Sequence, residues 1–167
     1  TQGIKQVNTN NHANVSGELR FLNDTTEIRL QPSDLMVLKN PWYFSDDNQI
    51  LITGRELYFN NFSLFNKSQK AGLQEIALSG ALSQDSLKML TLNINHFEVD
   101  NLNPLLTRNY QGEVNGYVNL QNILPSGRDS TRQLMLNSKV SIGGFSVNDF
   151  LLGDITGITN WDDLNRE

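Results

Sequence analysis

The chain contains no cysteine, so disulfides, thiol nucleophiles and thiolate metal sites are excluded. It has only two histidines, His12 in a polar opening stretch and His96 in an apolar repeat. Neither is spaced from a nucleophile or a second ligand in a way that supports a catalytic or metal-binding role. Basic charge is also short. Thirteen Lys and Arg face eighteen Asp and Glu, for a net charge of −5 with the signs interspersed. No basic patch exists for a phosphate backbone to release counterions onto, so nucleic acid is not an expected partner. No run approaches the roughly 20 apolar residues of a membrane-spanning helix, and Thr1 to Asn14 is neither a signal peptide nor an anchor. Alanine is scarce and helical heptad-like patterns are missing, while Asn recurs, in pairs at Asn10-Asn11 and Asn60-Asn61. What remains is a composition of strands and turns.

At 167 residues the chain is long enough for one domain with an apolar core. Residues 1–13 carry no periodic pattern and are expected to form a frayed end or the tail of a strand whose partner lies outside the sequence. Residues 14–167 are expected to form a single β-repeat domain, with order starting near Val15. From there the dominant period is two: Val15, Gly17, Leu19, Phe21; Ile28, Leu30; Ile76, Leu78, Gly80, Leu82; Leu90, Leu92, Ile94; Val114, Gly116, Val118, Leu120; Leu134, Leu136; Val140, Ile142. Polar residues fill most intervening positions, which describes antiparallel sheet with one apolar and one wet face. Turns are marked at Asn23-Asp24, Ser45-Asp46-Asp47-Asn48, Asn66-Lys67-Ser68 and Pro125-Ser126-Gly127. One helical turn is expected at Leu102 to Arg108, capped by Asp100 or Asn101, with Pro104 in its first turn. Pro32 to Trp42 reads as either a strand or a short helix.

A pattern of apolar residues in the order h-x-h-x-x-h-x-h occurs three times: Leu57, Phe59, Phe62, Leu64; Leu92, Ile94, Phe97, Val99; and Val140, Ile142, Phe145, Val147. Each copy precedes an h-x-Gly-x-h strand, centred on Gly80, Gly116 and Gly157, and a fourth such strand is centred on Gly17. These glycines lie 63, 36 and 41 residues apart, a spacing that means a repeated supersecondary unit. Solenoid, blade and open-ended sheet all fit it. The two-residue step inside each copy, Asn60-Asn61, Asn95-His96 and Gly143-Gly144, reverses the alternation. Either a tight hairpin or a β-bulge keeps the flanking apolar residues on one face. The short outgoing arm, Phe97-Glu98-Val99, favours the bulge. A glycine inside a strand implies a bend or a close backbone approach.

Site chemistry is sparse. The pairs Asp46-Asp47 and Asp162-Asp163 lack the spaced oxygens of a calcium loop, and no Gly-Lys-Ser/Thr follows Gly143-Gly144 as a nucleotide loop would need. No catalytic residue, metal or cofactor is expected, and an enzyme is the least favoured class. The remaining feature is the apolar face: Leu57, Phe59, Phe62, Leu64, Leu78, Leu82, Leu92, Ile94, Phe97, Val99, Val114, Val118, Val140, Ile142, Phe145 and Val147. If the sheet closes on another sheet these are core. If it stays open they line a groove.

The run Leu92-Asn-Ile-Asn-His-Phe97-Glu-Val99-Asp-Asn-Leu102-Asn-Pro104-Leu105-Leu106, followed by Tyr110-Gln-Gly112-Glu-Val114-Asn-Gly116-Tyr-Val118, resembles the TamB family of the AsmA-like group. The segment from Val140 to Gly157 is similar without the proline turn, and weaker copies extend the resemblance over most of residues 15–160. It implies an internal periplasmic segment of a very long envelope protein, anchored in the inner membrane, whose sheet curls into an open, apolar-lined trough. The implied function is phospholipid transport between inner and outer membrane, outer-membrane protein assembly, or both. The implied partners are phospholipid acyl chains or unfolded outer-membrane strands, and an assembly partner of the TamA/BamA type contacted through other regions. A cut sheet also predicts edge-strand dimers. The competing reading is a closed β-sandwich or solenoid module of a surface protein, binding glycan or protein through Trp42, Tyr43, Phe44, Tyr58 and Trp161.

Overall fold

In the computed structural model the described residues are 12–37, 40–68, 72–85, 87–124 and 134–162. They form one open, antiparallel, 12-stranded sheet that does not close into a barrel. In chain order the strands are β1 His12–Asn14, β2 Gly17–Leu22, β3 Thr25–Leu30, β4 Asp34–Val37, β5 Asn40–Phe44, β6 Gln49–Thr53, β7 Glu56–Ser68, β8 Gly72–Leu82 and β9 Met89–Glu98. A 3₁₀ turn, Val99–Leu105, precedes β10 Tyr110–Gln121, β11 Met135–Val147 and β12 Phe150–Asp162.

From β7 to β12 the sheet is a plain meander, each strand paired with the next. On its other side β7 is a branch point. Residues 56–60 pair with β6, which continues to β3 and β2. Phe65 and Leu64 pair with Tyr43 and Phe44 of β5, which continues to β4 and β1. The extra length of the first glycine interval therefore holds a second arm of the sheet. Asn48, 1% exposed in the β5–β6 turn, stitches the two arms. It accepts the Leu30 N–H at 2.7 Å and donates to the Leu30 carbonyl at 2.7 Å and to the Ser45 carbonyl.

All three repeat steps are β-bulges inside continuous strands. The register against the neighbouring strand slips between Phe59 and Phe62, across Asn95-His96 and between Ile142 and Phe145. In each step the second residue has positive φ: Asn61 at 47°, His96 at 51° and Gly144 at 60°. Asn, His and Gly are residues that enter this left-handed region most readily, which explains the identities at that step. Strand glycines mark close approach as expected at Gly80 and Gly116. A Cβ on Gly80 would lie 2.0 Å from the Met89 carbonyl oxygen, and one on Gly116 2.3 Å from that of Lys139. Gly157 departs from the rule, with its nearest contact at 3.9 Å.

Several expectations need correction. His12 and Ala13 are not frayed: with Asn14 they form a strand whose partner is present in the chain, pairing with Met36, Leu35 and Asp34. Val15 lies between β1 and β2. Asn66-Lys67-Ser68 is not a turn; β7 runs through it, held by pairing with Gln74, Leu73 and Gly72. For Pro32 to Trp42, left open between strand and short helix, the strand alternative holds: β4 and β5 pair as a hairpin. The helical turn starts at Val99, with Glu98 at the cap position and no side-chain capping bond, so Asp100 and Asn101 lie inside it and Pro104 near its end. Burial of Val99 sets that start. Val99 is consequently not a strand residue. The expected turn at Pro125-Ser126-Gly127, together with Leu38 and Asp163, lies outside the described residues.

Candidate functional site: an apolar trough with a hood

Bulges and register together set the apolar residues in rows that cross the sheet. One row runs from β2 to β12: Leu19, Ile28, Ile50, Phe59, Gly80, Leu90, Leu120, Leu136, Trp161. The next is Phe62, Leu78, Leu92, Val118, Ser138, Thr159. A third is Phe44, Leu64, Ile76, Ile94, Gly116, Val140, Gly157. A fourth joins Phe97, Val114, Ile142 and Ile155. Leu57 pairs with Leu82, Val147 with Tyr110 and Phe150, and Phe145 lies opposite Gly153. Fifteen of the sixteen expected lining residues therefore share one face, and only Val99 leaves it for the turn.

The face is concave. Trp42 of β5 and Phe97 of β9 have ring centroids 6.1 Å apart, although β7 and β8 lie between their strands. Three strand spacings in a flat sheet separate backbones by about 14 Å, so the sheet must curl to bring these rings together. The same approach joins Asn40 Nδ2 to Asn101 Oδ1 at 2.7 Å. Hairpin β4–β5 and the 3₁₀ turn thus form a hood over β7, β8 and β9.

Under the hood lies a cavity of about 310 Å³. Its floor is Phe62, Leu64, Ile76, Leu78, Leu92 and Phe97, its roof Val37, Trp42 and Leu102, and Asn101 is its one polar lining residue. Leu35, Trp42 and Phe44 form the buried cluster above it. Beyond the hood the face is uncovered. Phe21 is 79% exposed on one flank, and Ile155 and Trp161 are 43% and 51% exposed on the other.

Next to the cavity, joined to its lining residue Asn101, lies a buried polar cluster absent from the sequence expectations. Gln74 continues the β8 apolar phase but is 1% exposed. Its amide donates to Asn66 Oδ1 and Glu98 Oε2, each at 3.2 Å, and accepts the Glu98 N–H at 2.9 Å and Asn101 Nδ2 at 2.8 Å. Both donors and both acceptor positions are used, so the group is buried without an unmet hydrogen bond. Asn66 donates in turn to the Pro41 carbonyl. The sequence signal was available: Asn66 and Gln74 are polar residues in trough phase on facing strands.

The aromatic platform expected for a glycan does not assemble. Trp42 and Phe44 are buried, Tyr43 packs against Phe65 at 5.8 Å, Tyr58 is bonded to Glu56 and Lys88, and Trp161 lies half exposed on β12. His96 Nδ1 meets Glu113 Oε1 at 2.8 Å on the surface. Bonds from Asn115 and then His96 hold the Glu113 carboxyl below its ordinary range. Among the described residues no group of three or more His, Cys, Asp or Glu is placed to hold a metal, and no helix is long and apolar enough to cross a membrane. Comparison with protein-family models, curated proteins and solved structures finds no match.

Proposed function

We propose that this chain is a non-catalytic periplasmic scaffold segment whose trough carries phospholipid acyl chains between inner and outer membrane, or shelters apolar strands of unfolded outer-membrane proteins. The observation that carries the reading is the row from Leu19 to Trp161, apolar except at Gly80, on the concave face of an open sheet. Burial of one methylene is worth about 0.8 kcal/mol, so a sixteen-carbon chain crossing water unaided faces on the order of 12 kcal/mol. A trough removes most of that barrier. It needs no fixed polar geometry, since acyl chains slide. Outer-membrane assembly partners of the TamA/BamA type would be met by other segments.

Photo-crosslinking residues placed in cells at Leu92, Ile94 or Val118 should capture lipid, whereas Asn93 or Asn119, on the opposite face, should not. Capture of unfolded outer-membrane protein at the trough positions would select the assembly arm. Equal labelling of both faces, or of neither, would refute the trough.

A further inference from the structure

We infer that the outer edge of β12 is a receiving site for one further antiparallel strand, an extended polypeptide of the apolar-x-apolar kind that follows the glycine strands elsewhere in the sheet. The inference does not use the lipid reading of the trough, and its failure would leave that reading standing. It rests on the direction in which the repeat glycines are crowded. A Cβ on Gly17 would lie 2.8 Å from the Arg29 carbonyl oxygen, one on Gly80 2.0 Å from that of Met89, and one on Gly116 2.3 Å from that of Lys139. In each case the oxygen belongs to the strand that comes next along the chain, β3, β9 or β11, or to the residue leading into its paired stretch. In each case it belongs to the residue just before the glycine's partner on that strand, Leu30, Leu90 or Val140. The glycine is thus what lets the next strand come close.

Gly157 is the fourth glycine of this kind, and its next strand is missing. Its partner Val140 lies on the preceding strand, β11, and a Cβ would meet only the Val140 carbonyl oxygen, at 3.9 Å. Among the described residues β12 pairs only with β11, so the side on which the other three glycines are crowded holds no strand. The completed pairs say what fits there. Leu90 and Leu92 lie opposite Gly80 and Leu78, and Val140 and Ile142 lie opposite Gly116 and Val114. The same phase on β12 takes a large apolar residue opposite Gly157 and another opposite Ile155, which is 43% exposed. Main-chain bonds along the edge supply affinity in such an addition, and alternate side chains supply selectivity. A second copy of the chain does not offer this strand. The outermost described strands are β1, β2 and β12, of three, six and thirteen residues, and the two longer ones are themselves glycine strands.

The probe is a synthetic peptide of residues 89–98, the β9 strand, which has no place beside β12 in the fold. Carrying a dye at its N-terminus, it should bind the 167-residue protein, as read by fluorescence anisotropy at a protein concentration where sedimentation shows monomer. Gly157→Ala should weaken that binding about tenfold, because a Cβ holds the incoming carbonyl off and loses roughly one ladder bond, while circular dichroism stays unchanged. Thr156→Ala, one residue away on the opposite face, should keep it within about twofold. In an added strand only alternate amides turn toward the edge. Of two peptides N-methylated at alternate residues, one at Leu90, Leu92 and Ile94 and the other at Thr91, Asn93 and Asn95, one should therefore lose binding and the other keep it. Loss by both marks insertion between two strands, loss by neither marks binding without strand pairing, and each overturns the proposal. Equal binding by the native protein and Gly157→Ala overturns it as well. A peptide that does not bind, with self-association that responds to Gly157→Ala, gives the edge to a second copy and refutes the assignment; no binding and no such response leave the edge without an occupant and refute it equally.

Discussion

Replacing Gly80 by alanine should be among the most damaging single-methyl changes in this chain. Gly80 sits between Phe59 of β7 and Leu90 of β9, with φ of 93°. A Cβ there would lie 2.0 Å from the Met89 carbonyl oxygen and 3.1 Å from its carbon. Those are backbone atoms inside a ladder, so no flexible side chain can yield. Relief requires β8 and β9 to separate locally, weakening bonds around the row that floors the trough. Positive φ adds about 1–2 kcal/mol for any residue with a Cβ. A lost or lengthened ladder bond adds about 1 kcal/mol more. The expected cost is thus about 2–3 kcal/mol.

Gly157 supplies the internal control. It occupies the same place in the h-x-Gly-x-h repeat, yet its φ is not positive and its nearest contact is 3.9 Å away. Gly157→Ala should change stability by under about 1 kcal/mol, and in the stabilising direction, because alanine restricts the unfolded chain. Urea unfolding followed by circular dichroism gives both numbers, provided the slope with denaturant is unchanged. If Gly80→Ala costs less than about 1 kcal/mol, or if the two substitutions cost the same, close strand approach is not what the repeat glycines provide.

Glu56 should confer a distinct acid dependence. Hydrogen bonds from Ser83, Tyr58 and Lys88, in that order, hold its carboxyl at about 2, down from 4.5. A depressed carboxylate stabilises the fold fully above the unfolded value and loses that contribution as pH falls toward the folded one. The melting-temperature gap between the native protein and Glu56→Gln should therefore be constant above about pH 5 and shrink between pH 4.5 and 2. A gap that widens on acidification would refute the assignment. Gln74→Leu keeps the volume but strips partners from the Glu98 N–H, its carboxylate and Asn101, so urea unfolding should show a loss of about 3 kcal/mol. At the sheet edge, β12 pairs only with β11 among the described residues, and Ile158 is 67% exposed. Sedimentation should show concentration-dependent association through this edge, and Ile158→Lys should abolish it; a native protein that stays monomeric throughout would remove the edge from consideration.

Much of this architecture is legible from period and punctuation. Alternation at Leu90, Leu92 and Ile94 and at Val114, Val118 and Leu120 identifies strands with one apolar face, and the structure pairs them. The reversed step identifies the bulges because a left-handed residue is needed there, and Asn61, His96 and Gly144 provide it. What escapes is whatever depends on partners distant in sequence. The hood is fixed by Asn40 with Asn101, 61 residues apart, and by Asn66 with Pro41, 25 apart. No local periodicity encodes either contact. The 3₁₀ turn escapes for a related reason: capping rules favour Asp100 or Asn101, but burial of Val99 sets its start. The apolar pattern is likewise neutral about open or closed. A core and a trough demand the same alternation, and only the curl that carries Trp42 to Phe97 decides where the face is covered.

That curl also grades the trough. Near the hood the rows are dense, with Phe44, Leu64, Ile76 and Ile94 in one and Phe62, Leu78 and Leu92 in the next. Toward β12 the same rows thin to Gly116, Val140 and Gly157, and to Val118, Ser138 and Thr159. Under the lipid reading each apolar side chain replaced by Gly, Ser or Thr removes contacts that a methylene would otherwise make, at about 0.8 kcal/mol per methylene left in water. In these two rows grip would be tightest beneath Trp42, while Leu120, Leu136 and Trp161, and Val114, Ile142 and Ile155, keep the other two rows apolar across β10, β11 and β12. A uniform groove would hold a chain equally everywhere and give it no preferred position. A groove graded in two of its rows would favour the hooded end without closing the other.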